Sequence, residues 1–252
     1  MTFQRYWAMN GKLAYPYRYP KGRYYLRRPP PLFGTGLIEA IPDSEIVQLS
    51  RMEAKVSAQH AGRVPRLRDG TIGRFGWKAA VATLPAFTTT AFSVEVGVPQ
   101  APRSVNVALI TAYLRDLAAP PQKKGGTDLR GKALFASIGC ADCHRPALRI
   151  GYFAAAPHLS GSVIHPYTDL LLHDMGARNA ELPDGAATAR EFRTPPLWGV
   201  GATGPRYMHN GAATSLAQAI RRHGGQASDS ASAFNRLSPQ DRDAVLRFLR
   251  SL

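Results

Sequence analysis

Cysteine is almost missing from this 252-residue chain: there are two, Cys140 and Cys143. That excludes a disulfide framework and a zinc site built on four cysteines. Acid is also scarce, with 17 Asp and Glu against 32 Lys and Arg and a net charge of +15. An acidic, solvating chain is therefore excluded. No uninterrupted apolar run approaches the roughly 20 residues of a membrane span. Residues 1–12 hold no apolar core of a signal peptide. Acidic residues are wholly absent from residues 1–31, which carry Arg5, Lys12, Arg18, Lys21, Arg23, Arg27 and Arg28 and six of the ten tyrosines. Basic and aromatic residues interleaved in this way are a nucleic-acid footprint. No nucleic-acid motif accompanies them, however, so no nucleic-acid partner is expected. Leu13–Tyr19 and Arg23–Leu26, around Pro20-Lys-Gly22, read instead as a β-hairpin. A basic surface also suits docking to an acidic redox carrier, a small cytochrome or a cupredoxin, through long-range steering.

What is present is concentrated where the two cysteines stand. Cys140-Ala-Asp-Cys143-His144 reads as a site for covalent attachment of haem c. Two thiols three positions apart each form a thioether to one porphyrin, and the following imidazole becomes the proximal iron ligand. Zinc would have to recruit the scattered histidines His158, His165, His173, His209 and His223. A thioredoxin-like dithiol needs a strand before the motif, whereas Gly131 to Gly139 reads as a short amphipathic helix. Haem c is attached outside the bacterial cytoplasm, so the motif implies a periplasmic protein.

Punctuation divides the rest. Pro29-Pro30-Pro31 closes the first segment. Asp43 opens a helix after Pro42, 63–77 reads as loop, and Val105–Leu117 has helical apolar spacing. Pro120, Pro121 and a Gly-Gly pair mark a linker, with a boundary near 125. Ser238, Pro239 and Asp241 cap a final helix whose apolar face is Val245, Leu246, Phe248, Leu249 and Leu252. The expectation is a mainly α chain. A class I cytochrome c-like domain over 125–252 follows an irregular, mixed α/loop region over 1–124 with its N-terminal hairpin. The distal iron ligand has three candidates. Met208 stands at the distance a simple monohaem cytochrome uses, and Met175 is nearer. His223 follows a helix capped by Ser215-Leu-Ala-Gln218, on one face with Leu216, Ala219 and Ile220, and ahead of Gly224-Gly225. Spacing alone leaves Met208 and His223 level.

Further stretches carry a resemblance. They are Pro31-Leu-Phe-Gly-Thr-Gly-Leu-Ile-Glu-Ala-Ile-Pro42, Gly73-Arg-Phe-Gly-Trp-Lys-Ala79, Leu134 through Pro146, and Tyr167-Thr-Asp-Leu-Leu-Leu-His-Asp-Met-Gly176. Glu191-Phe-Arg-Thr-Pro-Pro-Leu-Trp-Gly-Val-Gly201, Tyr207-Met-His-Asn-Gly211 and His223-Gly-Gly225 follow. In this order they resemble the bacterial di-haem oxidoreductases, relatives of the di-haem cytochrome c peroxidases and of the methylamine-utilisation di-haem enzyme. The resemblance implies an electron-relay haem over 125–252 that serves a first haem, whose domain 1–124 would represent only in part. Members normally carry a second Cys-x-x-Cys-His upstream. This chain has one such motif, which implies a missing first-haem site. Relatives usually have Asp where Asn210 stands and Glu where Ala217 stands. The resemblance places the distal ligand at His223, where relatives have Met or Tyr. It places a catalytic acid/base at Glu95 and puts Trp77 and Trp198 between the haems. It also implies a calcium ion between the domains, for which no ligand set can be named. As written, the chain is expected to lack peroxidase turnover. The alternative reading is a monohaem electron-transfer cytochrome without catalytic activity.

Overall fold

A computed structural model describes residues 27–58, 60–95, 106–122 and 128–252. The expected N-terminal hairpin and the boundary near 125 lie outside the described residues. Among those described, the chain is mainly helical, with only short strands. The expectation of a mainly α protein therefore holds. None of these helices is long and apolar enough to cross a membrane.

The first half builds a helical layer around α1 (Thr35–Glu39), α2 (Asp43–Val56), α3 (Leu84–Thr90) and α4 (Val107–Asp116). α2 begins at Asp43, directly after Pro42, and Asp43 and Glu45 complement its positive end. Side-chain caps start two others. Thr83 accepts from Ala86 N at α3, and Asn106 accepts from Leu109 N at α4. Ile38, Ile41, Ile46, Leu84 and Leu114 pack into one core with Leu148, Ile150, Ile164, Leu170, Leu171 and Trp198. That core thus draws on both sides of residue 125.

The second core is C-terminal. α5 (Leu129–Ser137) is capped by Asp128, whose carboxylate accepts from Gly131 N at 2.7 Å. α9 (Pro239–Ser251) is capped by Ser238, as its sequence predicts. The two helices cross at Gly131. A Cβ there would sit 2.1 Å from Ala244 O, so only glycine permits the approach. Phe135 of α5 and Phe248 of α9 pack with tilted rings, 5.4 Å between centroids, and Tyr167 is edge-on to both. α8 (Ser228–Arg236) adds Phe234, and α7 (Leu216–Arg221) adds Leu216 and Ile220.

Between them the backbone is irregular and pinned by two small antiparallel pairs. β1 (Leu148–Arg149) pairs with β2 (Val163–Ile164), and β3 (Leu172–Asp174) with β4 (Glu191–Arg193). β3 matters most, because it fixes the loop Tyr167–Leu171 beside the cysteine motif.

Candidate haem site

Gly139 breaks the chain away from α5 in a left-handed conformation, φ 83°, and the single turn α6 (Cys140–Cys143) follows. His144 ends that turn, with its N–H donating to Cys140 O at 3.0 Å. Both thiols are half-buried and free. Cys140 packs in the second core with Leu216, Tyr207 and Ile220. The loop opposite carries two non-glycine residues in the left-handed region, Tyr167 (φ 54°) and Leu170 (φ 61°). Such conformations cost on the order of 1 kcal/mol or more each and persist where the surroundings impose them. Here they aim the Tyr167 carbonyl at His144 Nδ1, 2.9 Å away.

That contact decides the histidine's chemistry. A carbonyl only accepts, so Nδ1 carries the proton and Nε2 is left with a lone pair, as a metal-ligating imidazole requires. His223 repeats the device at the end of α7. Its Nδ1 lies 2.8 Å from Ala219 O, so its Nε2 is likewise an acceptor. Burial pushes the His144 imidazole down to about 4. The Tyr167 bond opposes this, and the nearby His223 adds to it. Burial also lowers His223, against its bond to Ala219. Two neutral imidazoles, each with a free Nε2 and within electrostatic reach of one another, stand beside two thiols.

Glycines make the His223 turn. Gly225 has φ 56°, and a Cβ on it would lie 2.2 Å from Asp174 O. The backbone at this turn thus packs closely against the end of β3. Ser215 caps α7 by accepting from Gln218 N at 3.1 Å. The Gln218 side chain does not reach back to Ser215 N; it accepts instead from Thr214 N and Thr214 Oγ1.

The other sequence candidates have these surroundings. Met208 occupies a left-handed position (φ 68°) in the turn between Tyr207 and Ala213. Its neighbour His209 stacks on Phe192 at 4.2 Å and meets Trp77 edge-on. Met175 uses its backbone to accept from Asn179 Nδ2, which also bonds Arg222 O and so ties this loop to α7. Glu95 ends a π-helical turn, Ala91–Glu95, and its side chain lies outside the described residues. Trp77 and Trp198 line a small cavity of about 50 Å³ with Pro30, Phe33, Arg74 and Arg193. Trp77 Nε1 donates to Arg28 O, and Trp198 belongs to the first core.

Two groups escaped the sequence reading. The first is Cys143–His173–Asp169. Cys143 Sγ lies 3.6 Å from His173 Nδ1, and His173 Nε2 lies 2.9 Å from Asp169 Oδ2. These three residues present metal-capable atoms within 4.8 Å of one another. Asp169 and His173 are 0% and 3% exposed, so the pair is fully desolvated. Burial would lower the His173 imidazole, but Asp169, by charge and hydrogen bond, holds it well above the ordinary value. Glu53, on α2, faces the same cluster. Burial, then the like charge of Asp169, pushes its carboxyl up to about 7.

The second group is His209 with Lys78, Arg27 and Glu181. Lys78 Nζ donates to Thr188 O, Ala189 O and Glu191 O and sits over the Phe192 ring. Burial, then Lys78 and Arg27, pushes the His209 imidazole down to about 4. Its folded value is thus below the 6.5 of a free histidine. Under pH 6.5 the unfolded chain takes up a proton that the folded chain refuses. His209 therefore costs nothing above pH 6.5, and stability drains as the pH falls toward 4. Glu181 Oε2 lies 3.7 Å from Nε2. We expect a loss on the order of 2 kcal/mol from this residue. Urea unfolding of the haem-free chain at pH 7 and pH 4.5 should show it, and His209→Gln should shrink that difference by about that amount, the remainder staying with groups such as His144. An unchanged slope in the variant would assign the acid sensitivity elsewhere.

Comparison with known proteins gives a family. The family model for di-haem oxidoreductase, putative peroxidase, matches residues 80–252. No curated protein matches. Among solved structures, hydrazine synthase of Kuenenia stuttgartiensis, studied under xenon pressure, is similar at 16% identity. The match covers 93% of this chain and 98% of that one, with a TM-score of 0.48. That likeness is too distant to bear on function.

Proposed function

The chain belongs to the di-haem oxidoreductase family, and from that premise we propose that it is the electron-relay haem domain of a c-type di-haem oxidoreductase. In this reading Cys140 and Cys143 would hold haem c through two thioethers, and His144 and His223 would hold its iron. The observation that carries it is the matched pair of imidazoles. Each has Nδ1 tied to a backbone carbonyl, at 2.9 and 2.8 Å, and each therefore offers Nε2. A bound haem supplies one-electron redox chemistry.

The protein's own work is positional. The Tyr167 and Ala219 carbonyls fix both tautomers, and burial keeps both rings neutral. The core of Phe135, Tyr167, Leu216 and Phe248 keeps water from their neighbourhood. The α5–α9 crossing at Gly131, beside the cysteine turn, supports a class I cytochrome c-like domain. Two histidines give a lower potential than His/Met, which suits a relay more than a peroxide-binding site. The net charge of +15 supports an acidic redox protein, a small cytochrome or a cupredoxin, as the partner. Covalent haem c, which is attached outside the bacterial cytoplasm, supports a periplasmic location in this reading. That both cysteines belong to one motif favours a single covalent haem on this chain.

The ligand assignment has a direct optical test. A ferric haem with a methionine ligand shows a weak sulfur-to-iron charge-transfer band in the near infrared. The purified haem protein should be low-spin and lack that band. Its presence would move the distal ligand to Met208 or Met175.

A further inference from the structure

The cavity lined by Trp77 and Trp198 takes no part in the haem reading. Aromatic rings make much of its wall, with Phe33, Phe75 and Phe87 joining the two tryptophans. These rings are pinned. Trp77 Nε1 donates to Arg28 O at 2.6 Å. Phe75 and Phe87 stack at 5.4 Å between centroids. Trp198 lies against Gly34, where a Cβ would come within 2.4 Å of the ring. A void between rings held in this way does not close without breaking those contacts.

Two arginines, Arg74 and Arg193, also line the cavity. Arg74 is committed elsewhere. Asp43 answers its charge, and the carbonyls of Ile38 and Ile41 take further hydrogens. Arg193 is different. It is 5% exposed, yet no carboxylate among the described residues pairs with it. Its Nε donates to Gly76 O at 3.0 Å and its Nη1 to Thr194 O at 3.3 Å. A guanidinium has five N–H donors, and neither hydrogen of Nη2 has an acceptor among the described residues. Burial pushes the group down to about 10, with only the field of Asp169 opposing, so it stays charged at neutral pH.

A structural tie explains this poorly. The backbone already joins β4 to the Gly76–Trp77 turn, since Arg193 N donates to Trp77 O at 2.9 Å. A buried charge without a counter-charge is costly for a fold to carry. A planar fork with unspent donors, set in the wall of an apolar cavity, is suited to a planar anion.

We propose that this cavity is a binding site for a short-chain monocarboxylate such as acetate or propionate, whose carboxylate meets Arg193 and whose alkyl end lies against the aromatic rings. Size, charge and shape each narrow the class. The cavity of about 50 Å³ has room for about four waters, hence for a ligand of about four or five heavy atoms. Arg193 is the uncommitted cation of the two, so a single negative charge is matched. A phosphate dianion or a dicarboxylate would leave a second charge against apolar rings. Those rings also favour a ligand with an alkyl body over a bare halide. The inference goes beyond the haem reading and stands independently of it.

The test uses the full chain, labelled with fluorotryptophan and held reduced. Sodium acetate and sodium propionate are titrated against sodium chloride at equal ionic strength. Calorimetry gives the Kd, and fluorine magnetic resonance follows Trp77 and Trp198. A ligand this small should bind with a roughly millimolar Kd. Both tryptophan signals should shift along that same saturation curve. Acetamide, of equal size but uncharged, should bind about 10-fold or more weaker, because the charged partner of the guanidinium is lost. Arg193→Lys keeps the charge but not the fork, and should lose about 10-fold in acetate affinity. If that variant fails to fold, the contrast of acetate with acetamide on the wild-type chain still decides. Tryptophan signals that ignore acetate overturn the proposal. So does an effect that chloride or acetamide reproduces at the same concentration, or a folded Arg193→Lys chain with wild-type affinity.

Discussion

His223→Ala should convert the haem protein almost completely from low-spin to high-spin. The reason is local. α7 ends in a turn that Gly224 and Gly225 press against the segment after β3, and His223 is the side chain that turn delivers. Its Nδ1 is held by Ala219 O at 2.8 Å, so the ring cannot rotate to offer the other nitrogen. Alanine leaves no donor in its place, and losing one of two imidazoles weakens the ligand field and raises the potential. His144 remains fixed by Tyr167 O, so the haem stays attached. Met208→Leu should leave the low-spin spectrum roughly as it was, because Met208 lies in the turn that sends His209 toward Phe192. Absorption and electron paramagnetic resonance of the two ferric variants make the comparison. A high-spin Met208→Leu beside a low-spin His223→Ala would reverse the assignment.

The second large effect is on peroxide. The wild-type haem protein should reduce hydrogen peroxide no faster than the uncatalysed background when a reduced small cytochrome is the donor. In the proposed reading His144 and His223 would both be taken up in holding the iron, and the two cysteines of the chain stand in a single motif. His223→Ala, with one face opened, should gain measurable reactivity. It should still fall about 100-fold or more short of a peroxidase, because an open face without a placed acid/base lacks the assistance worth that factor. Steady turnover by the wild type, abolished by Glu95→Gln, would locate the chemistry at the π-helical turn and remove the relay reading.

What was legible in the sequence was local. Ser238 and Ser215 cap the helices they mark, because an N-cap acts within three residues. Pro42 and Asp43 start α2 for the same reason, and the cysteine motif is readable because its chemistry is set by spacing along one turn. The Cys143–His173–Asp169 chain was not legible. Its members are joined only by a loop that turns twice through left-handed conformations at Tyr167 and Leu170, a bend that no apolar periodicity announces. The same stretch, Tyr167 to His173, reads as merely apolar; it is buried, but it carries the pair Asp169 and His173. The first core was hidden for a related reason. Ile38 and Ile46 pack against Leu148 and Leu170, contacts between segments about a hundred residues apart, which local patterning does not encode.

The account stands on one haem being bound covalently by Cys140 and Cys143. The direct measurement is the intact mass of the purified chain under denaturing conditions, after expression with a competent haem-attachment system. The account predicts the mass of the polypeptide plus a single haem, with the haem retained on unfolding. The bare polypeptide mass, with haem released or never bound, would contradict it.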